Sequence, residues 1–314
     1  MGFSSISKVE SSQSMLDIAF KRMTKVSNKK SKLDPVEHAR RLEAARLDVI
    51  NESVHTQLAR IIKEFPAFDN LSEFYSELLK VSLDFDNLKK ALGAVHWADM
   101  KAKDLVVMHK KRIYASKSRD VMPGIKKAYM GRLSSVLKQI DPNLKYLDEC
   151  RKIIREFPVI KQLPTVCIAG FPNVGKSTLL GKITTSKPEI KSYAFTTKTL
   201  NFGYFEIGKS KIQVIDTPGT LARPEKMNNI EKQAYLAIKY QADLIVYVFD
   251  PTDTYPVEKQ EELLELVKDF RKPIIIYVSK TDIAEKGKAD WFVTKYSAIN
   301  DKDELKEKII GLLG

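Results

Sequence analysis

The stretch Val166-Cys167-Ile168-Ala169-Gly170-Phe171-Pro172-Asn173-Val174-Gly175-Lys176-Ser177 is an apolar run that ends in a complete G-x-x-x-x-G-K-S pattern. Helix-forming residues follow it, Thr178-Leu179-Leu180. Strand, loop and helix in that order are the context this phosphate-binding loop requires, because the loop wraps backbone N–H groups around a nucleotide's phosphates at a helix N-terminus. Gly170 and Gly175 let the backbone curl and approach an anion closely. Lys176 is placed to reach the outer phosphates, and the Ser177 hydroxyl is placed to meet Mg²⁺. Asn173, Val174, Gly175, Lys176, Ser177 and Thr178 are therefore the candidate phosphate-binding residues.

Two further elements lie C-terminal to the loop. Lys211-Ile212-Gln213-Val214-Ile215 alternates like a strand and ends in Asp216-Thr217-Pro218-Gly219. An Asp at such a strand end can hold Mg²⁺ through a water, and Gly219 can then offer its N–H to the terminal phosphate. The apolar run Ile274-Ile275-Ile276-Tyr277-Val278 ends in Ser279-Lys280-Thr281-Asp282. The Asp282 carboxylate can accept from both N1–H and the exocyclic amine of guanine. Adenine lacks that amine and presents an acceptor at N1, so it leaves the contact unsatisfied. The Lys280 stem can lie along the base with its ammonium in water. Ser297 and Ala298 follow Trp291-Phe292-Val293, read here as a strand, and a backbone N–H from this loop is expected at guanine O6.

The ordered set GFPNVGKS, DTPG, SKTD and SA resembles a P-loop GTPase. With Ser192-Tyr193-Ala194-Phe195-Thr196-Thr197-Lys198 included, the wording is most similar to the nucleolar GTP-binding protein (Nog) family within the Obg-like GTPases. The motifs occupy about half the chain, from Thr165 onward, and the preceding half is similar in length and pattern to that family's N-terminal domain. Eukaryotic members carry long C-terminal extensions, so the chain resembles a short, archaeal-type member. The resemblance implies a GTP/GDP-binding, Mg²⁺-dependent GTPase that acts as a switch in large ribosomal subunit assembly. The switch needs a threonine that binds Mg²⁺ with its hydroxyl and orients water with its carbonyl; Thr196 and Thr197 both qualify, and the family pattern favours Thr197. Lys176, Thr197 and Gly219 are then the candidate catalytic residues, and Ser177, Thr197 and, through a water, Asp216 the metal ligands.

Two departures follow. The base-recognition motif usually opens with Asn, which ties it to the phosphate loop. Ser279 is shorter and lacks the amide, so guanine selectivity is expected to survive through Asp282 with weaker nucleotide affinity. Ras-like proteins place a Gln after the Asp-x-x-Gly to orient the attacking water. Thr220 stands there, followed by Leu221, so slow intrinsic turnover is expected. Asn173 suggests one compensation, since the equivalent Asn of related GTPases helps hold a K⁺ beside the phosphates.

Composition sets the frame. At 314 residues the chain has room for two domains of about 150. No apolar run approaches the roughly 18 residues that span a bilayer, and the N-terminus MGFSSISKVE lacks a signal core, so a cytoplasmic protein with no membrane partner is expected. Two cysteines suggest a reducing compartment, and four histidines without ligand spacing predict no zinc. A monomer is expected. The net charge of +13 points to polyanions, and it is concentrated: Lys101 to Ile140 holds eleven basic residues against Asp104 and Asp120. Tyr114 and Tyr129 interleave with these charges. Such a stretch suits salt-dependent RNA contact with aromatic stacking, which makes ribosomal RNA and large-subunit precursors the expected partners.

The first half, residues 1–160, reads as an antiparallel helical bundle. Its first 33 residues are polar apart from Met15, Leu16 and Ile18. Asp34 caps a helix with Pro35 at its first position, and apolar residues at steps of three, four and seven run from Val36 to Phe65, about 45 Å of helix. Further helices are expected from Ser72 to Lys101 with interruption near Gly93, from Pro123 to before Asp141, and from Leu144 to Phe157. The second half, 161–314, alternates strands (near 164–169, 199–207, 210–216, 243–250, 273–278 and 291–296) with helices (176–185, 226–241, 256–270 and 302–313). That pattern gives a mostly parallel six-stranded sheet flanked by helices, with one antiparallel edge joined through Gly208-Lys209. A small-molecule kinase shares the phosphate loop, but Asp282 argues against it. A translation- or stress-associated Obg-type GTPase, or an RNA-binding scaffold that holds GTP with little hydrolysis, remain alternatives.

Overall fold

The computed structural model describes residues 5–26, 34–157, 163–184, 189–191, 200–207, 210–217 and 229–313. The chain forms two compact units. One comprises Gly2–Ala67 and Leu83–Arg155, and the other joins Phe68–Ser82 to Glu156–Gly314.

The first unit is helical: α1 (Ser12–Thr24), α2 (Pro35–Glu64), α4 (Phe85–Ala115), α5 (Met122–Gln139) and α6 (Asp141–Arg155), with α3 (Glu73–Ser82) falling in the second unit. The Asp34 carboxylate accepts from the N–H groups of Val36 and Glu37 at 2.9 and 3.2 Å, so α2 begins where the sequence places it. Its stripe is buried at Leu47, Ile50, Val54, Leu58 and Ile61. The polar N-terminal segment proves to contain α1. Met15 and Leu16 share a face with Ala19, and burying these three against α2 is enough to hold a short helix. Three carboxylates fasten this segment. Glu64 accepts from Ser7 N–H at 2.7 Å, Asp148 from Val9 N–H at 3.2 Å and Asp141 from Ser12 N–H at 2.9 Å.

The expected interruption at Gly93 does not occur. The buried stripe Leu88, Ala91, Val95, Ala98 and Ala102 runs past it, and Gly93 faces open space. The break comes earlier, at Asp84, whose side chain accepts from Asn87 N–H at 3.0 Å and caps α4. Tyr129, expected among the exposed aromatics, is fully buried against His109. It lies on the same face of α5 as Ile125, Leu133 and Leu137, which is the core face. Tyr114 remains exposed, as does Trp97.

The second unit is a six-stranded sheet of order β2-β3-β4-β1-β5-β6. The strands are β1 (Thr165–Ala169), β2 (Glu189–Lys191), β3 (Leu200–Ile207), β4 (Ser210–Asp216), β5 (Leu244–Phe249) and β6 (Ile274–Val278). β4, β1, β5 and β6 run parallel, while β2 and β3 form the antiparallel edge. The β3–β4 ladder closes at Ile207↔Ser210 around Gly208-Lys209, which lie outside the described residues. β1 and β5 are buried at every position, as strands covered on both faces must be. Around the sheet stand α7 (Lys176–Ile183), α8 (Asn229–Gln241), α9 (Val257–Lys268), α10 (Lys288–Tyr296) and α11 (Lys302–Leu313), and α3 packs on α8.

One strand is corrected. Trp291-Phe292-Val293 belongs to helix α10, and the sixth strand is β2. The apolar residues that matter are Phe292 and Tyr296, four apart, and both rings pack on Phe249 of β5 at 5.3 and 4.5 Å. That spacing is a helical face, which three adjacent apolar residues disguise as a strand. Among the described residues, the sheet continues past α10 through one parallel bridge, Tyr277↔Ile299.

Candidate nucleotide-binding site

The site lies at the carboxyl ends of the parallel strands, where open α/β sheets bind ligands. β1 runs into the loop, which turns through left-handed positions at Asn173 (φ 60°) and Gly175 (φ 96°) before α7 starts at Lys176. Gly170 is obligatory. A Cβ built there would sit 2.7 Å from the Val248 carbonyl oxygen of β5, at a φ of 147°. Gly175 opposes Ser279, whose Cβ would lie 3.5 Å from a side chain added to the glycine. Lys176 is largely buried, and its ammonium donates to the Phe171 carbonyl at 2.6 Å.

Asp216 sits at the end of β4, which pairs with β1 through Ile168↔Asp216. The Thr217 hydroxyl donates to the Ile168 carbonyl at 2.7 Å and fixes that strand end. Asp216 Oδ2 accepts from the Ser177 hydroxyl and from Asn201 Nδ2, the latter at 3.1 Å. Oδ1 is buried with no hydrogen-bond partner among the described residues. A hydroxyl and a carboxylate with a spare buried lone pair make an oxygen donor set suited to a hard divalent cation.

The loop and the candidate base-recognition segment meet directly. The Ser279 hydroxyl donates to the Val174 carbonyl at 2.6 Å and lies 3.0 Å from that of Phe249. Lys280 stands at φ 50°, and its ammonium reaches the fully buried Asp250 carboxylate at 2.7 Å. The N–H groups of Ile283 and Ala284 return to the Lys280 carbonyl at 3.3 and 3.2 Å, closing a turn that carries Asp282. A cleft of about 510 Å³ results, lined among others by Asn173, Gly175, Lys176, Ser177, Thr178, Ser279, Lys280 and Asp282.

The structure thus brings together the loop residues, Asp216, Lys280 and Asp282. Val174 is buried beneath the loop and contributes through its backbone. Ser297 and Ala298 do not line this cleft. The Ala298 N–H donates to the Val293 carbonyl at 3.0 Å, because Ser297 ends α10 in a left-handed turn. Thr197 and Gly219, with Thr196, Thr220 and Leu221, lie outside the described residues. Asn201, Asp250 and Thr252 escaped the sequence reading. Asp250 resembles Asp216 in being an acid at a strand end, following the wholly apolar β5.

Residues 3–161 match the family of the NOG1 N-terminal helical domain, and residues 165–280 match the 50S ribosome-binding GTPase family. The chain belongs to the NOG1 family. This NOG1-family chain is 37% identical over 273 residues to an uncharacterized protein of Methanocaldococcus jannaschii, covering 85% of this chain and 77% of that one. It is 37% identical over 244 residues to nucleolar GTP-binding protein 1 of Drosophila melanogaster, covering 74% and 36%. It therefore spans little more than a third of that eukaryotic relative. Among solved structures, the G domain of the T. maritima FeoB iron transporter matches at 27% identity and a TM-score of 0.41, over 49% of this chain and all of that one. The NOG1-family chain carries a P-loop GTPase domain after a helical domain. Among the described residues, no helix is long and apolar enough to cross a membrane.

Proposed function

We propose that this chain is a Mg²⁺-dependent, cytoplasmic GTPase switch that acts in large ribosomal subunit assembly. Residues 161–314 bind and hydrolyse GTP, and residues 1–160 contact ribosomal RNA. The observation that carries the reading is the hydrogen bond from Ser279 to Val174. It unites an anion cradle and a guanine-selecting carboxylate, Asp282, in one cleft.

The chain's own groups divide the work. Lys176 and the loop N–H groups neutralise phosphate charge. Ser177 and, through a water, Asp216 would hold Mg²⁺, which would supply positive charge to offset that developing on the phosphates. Asp282 reads the base, and Lys280 lies along it. By the family resemblance Thr197 would help hold Mg²⁺ and Gly219 would offer its N–H to the terminal phosphate, and turnover is expected to be slow because Thr220 stands where Ras-like proteins have the orienting Gln.

The helical half supports RNA contact through Lys101, Lys111, Arg112, Lys117, Lys127, Arg132 and Lys138. All are exposed and none is in an ion pair among the described residues. Lys103, Lys110 and Lys126 instead pair with Asp99, Asp48 and Glu43 within the helical unit. The names of the matching families and relatives add support for a ribosomal setting.

Calorimetry with GTP and ATP in Mg²⁺ tests the chemistry. Binding of GTP alone is expected, and equal binding of ATP would end the reading. Co-sedimentation with precursor rather than mature large subunits tests the setting.

A further inference from the structure

Lys280 is a non-glycine residue in the left-handed region, a conformation that costs free energy unless something holds it. Its ammonium is only one-quarter exposed and ends on Asp250, whose side chain is sealed from solvent. Asp250 is itself pinned on every side. Its Oδ1 accepts from the N–H and the hydroxyl of Thr252 at 2.9 and 2.6 Å. Its backbone N–H donates to Gln260 Oε1 at 2.9 Å, and Gln260 Nε2 returns to its carbonyl at 3.0 Å. Burial pushes the Asp250 carboxyl up, but Lys280 and Thr252 outweigh it and hold the group below the ordinary carboxylate value. A buried charge held this firmly fixes its partner.

We propose that Asp250 is a positioning residue for guanine-nucleotide binding. By gripping Lys280 it holds both the stem that lies along the base and the turn, closed on the Lys280 carbonyl, that carries Asp282. This deepens the GTP-binding reading and rests on it. Asp250 is buried behind Lys280 and does not line the cleft, so its effect on binding is expected to pass through Lys280.

The test is a double-mutant cycle on the full chain, read by calorimetry with GDP and Mg²⁺ and accompanied by thermal denaturation. Asp250→Asn is expected to weaken GDP about tenfold, the scale of one charge-assisted hydrogen bond. Lys280→Met is expected to weaken it at least as much. The double variant should be no worse than Lys280→Met alone, because the two residues act as one unit. A merely structural role for Asp250 would instead make the two losses multiply. Thr252→Val, which takes one donor from the same carboxylate nearer the surface, should weaken GDP about threefold, and it serves if Asp250→Asn does not fold. Multiplying losses, or GDP binding by both Asp250→Asn and Thr252→Val equal to wild type, would overturn the proposal. Failure of the wild-type chain to bind any guanine nucleotide would instead overturn the GTP reading itself.

Discussion

The Ser279 hydroxyl reaches the Val174 carbonyl at 2.6 Å, so the candidate base-recognition segment is fastened to the phosphate loop by a serine. Serine lacks the amide that usually does this, yet its hydroxyl reaches the Val174 carbonyl and lies 3.0 Å from that of Phe249. Ser279→Ala removes the only side-chain donor to that carbonyl among the described residues. A buried hydrogen bond of this kind contributes about 1 kcal/mol, so GTP affinity is expected to fall about fivefold with little change in guanine over adenine preference. Ser279→Asn, with a second polar atom, should raise affinity severalfold. Calorimetry of the three proteins checks both.

Asp216 makes the Mg²⁺ dependence testable. Its Oδ2 is engaged by Ser177 and Asn201, and Oδ1 is buried and unpartnered. Asp216→Asn keeps the shape and removes the charge. Nucleotide affinity in EDTA should be unchanged, while the gain on adding Mg²⁺ should fall by about tenfold or more. A magnesium titration monitored by GDP binding distinguishes the outcomes.

Gly170 has no tolerated replacement. Alanine at φ 147° would drive its Cβ to 2.7 Å from the Val248 backbone oxygen, which cannot move without displacing β5. Gly170→Ala should cost about 1–3 kcal/mol, while alanine at Gly93, which faces open space within α4, should be neutral or stabilising. Urea denaturation of the two variants gives the comparison.

The N-terminal segment should loosen in acid. Hydrogen bonds from Ser12 and the Lys145 ammonium overcome partial burial and hold Asp141 below the ordinary carboxylate range. Burial pushes Asp148 up, but Arg151, the Val9 N–H and Lys152 outweigh it and bring it below that range too. Both groups bind fewer protons folded than unfolded near their titration, so their stabilisation is complete above the unfolded value. It drains away as pH falls through the lowered folded values. Proteolysis within residues 5–26 should accelerate below about pH 4, and Asp141→Asn with Asp148→Asn should flatten that dependence.

The cation set on the helical half predicts a salt signature. Each Lys or Arg that neutralises a phosphate steepens the logarithmic salt dependence by about 0.7 for single strands and 0.9 for duplexes. Neutralising Lys111, Arg112 and Lys117 together should therefore lower the slope of RNA binding by about 2, whatever the RNA sequence. Neutralising Lys126, already paired with Glu43, should change it little.

The loop and its flanks were readable because each residue type has one physical use there. A glycine where backbones touch, a lysine for phosphate and an acid at a strand end can be recognised without coordinates. Asp250 was not, since its importance lies in a partner thirty residues away, at Lys280. Trp291-Phe292-Val293 misled because three adjacent apolar residues fit two periodicities, and only Phe249 decides which ring spacing is used. Tyr129 misled for a related reason. Basic neighbours in sequence suggested surface, whereas α5 turns that one side chain inward.

The excursion of α3 has a practical consequence for anyone dissecting the protein. The chain departs from the helical unit after Ala67, lays one short helix on α8, and returns at Leu83. A fragment beginning near residue 161 would leave α8 bare of the helix that covers it, and a fragment ending there would carry α3 with nothing to rest upon. Excised halves should therefore be stickier than the intact molecule, and a graft of Phe68–Ser82 onto the later half is the natural remedy.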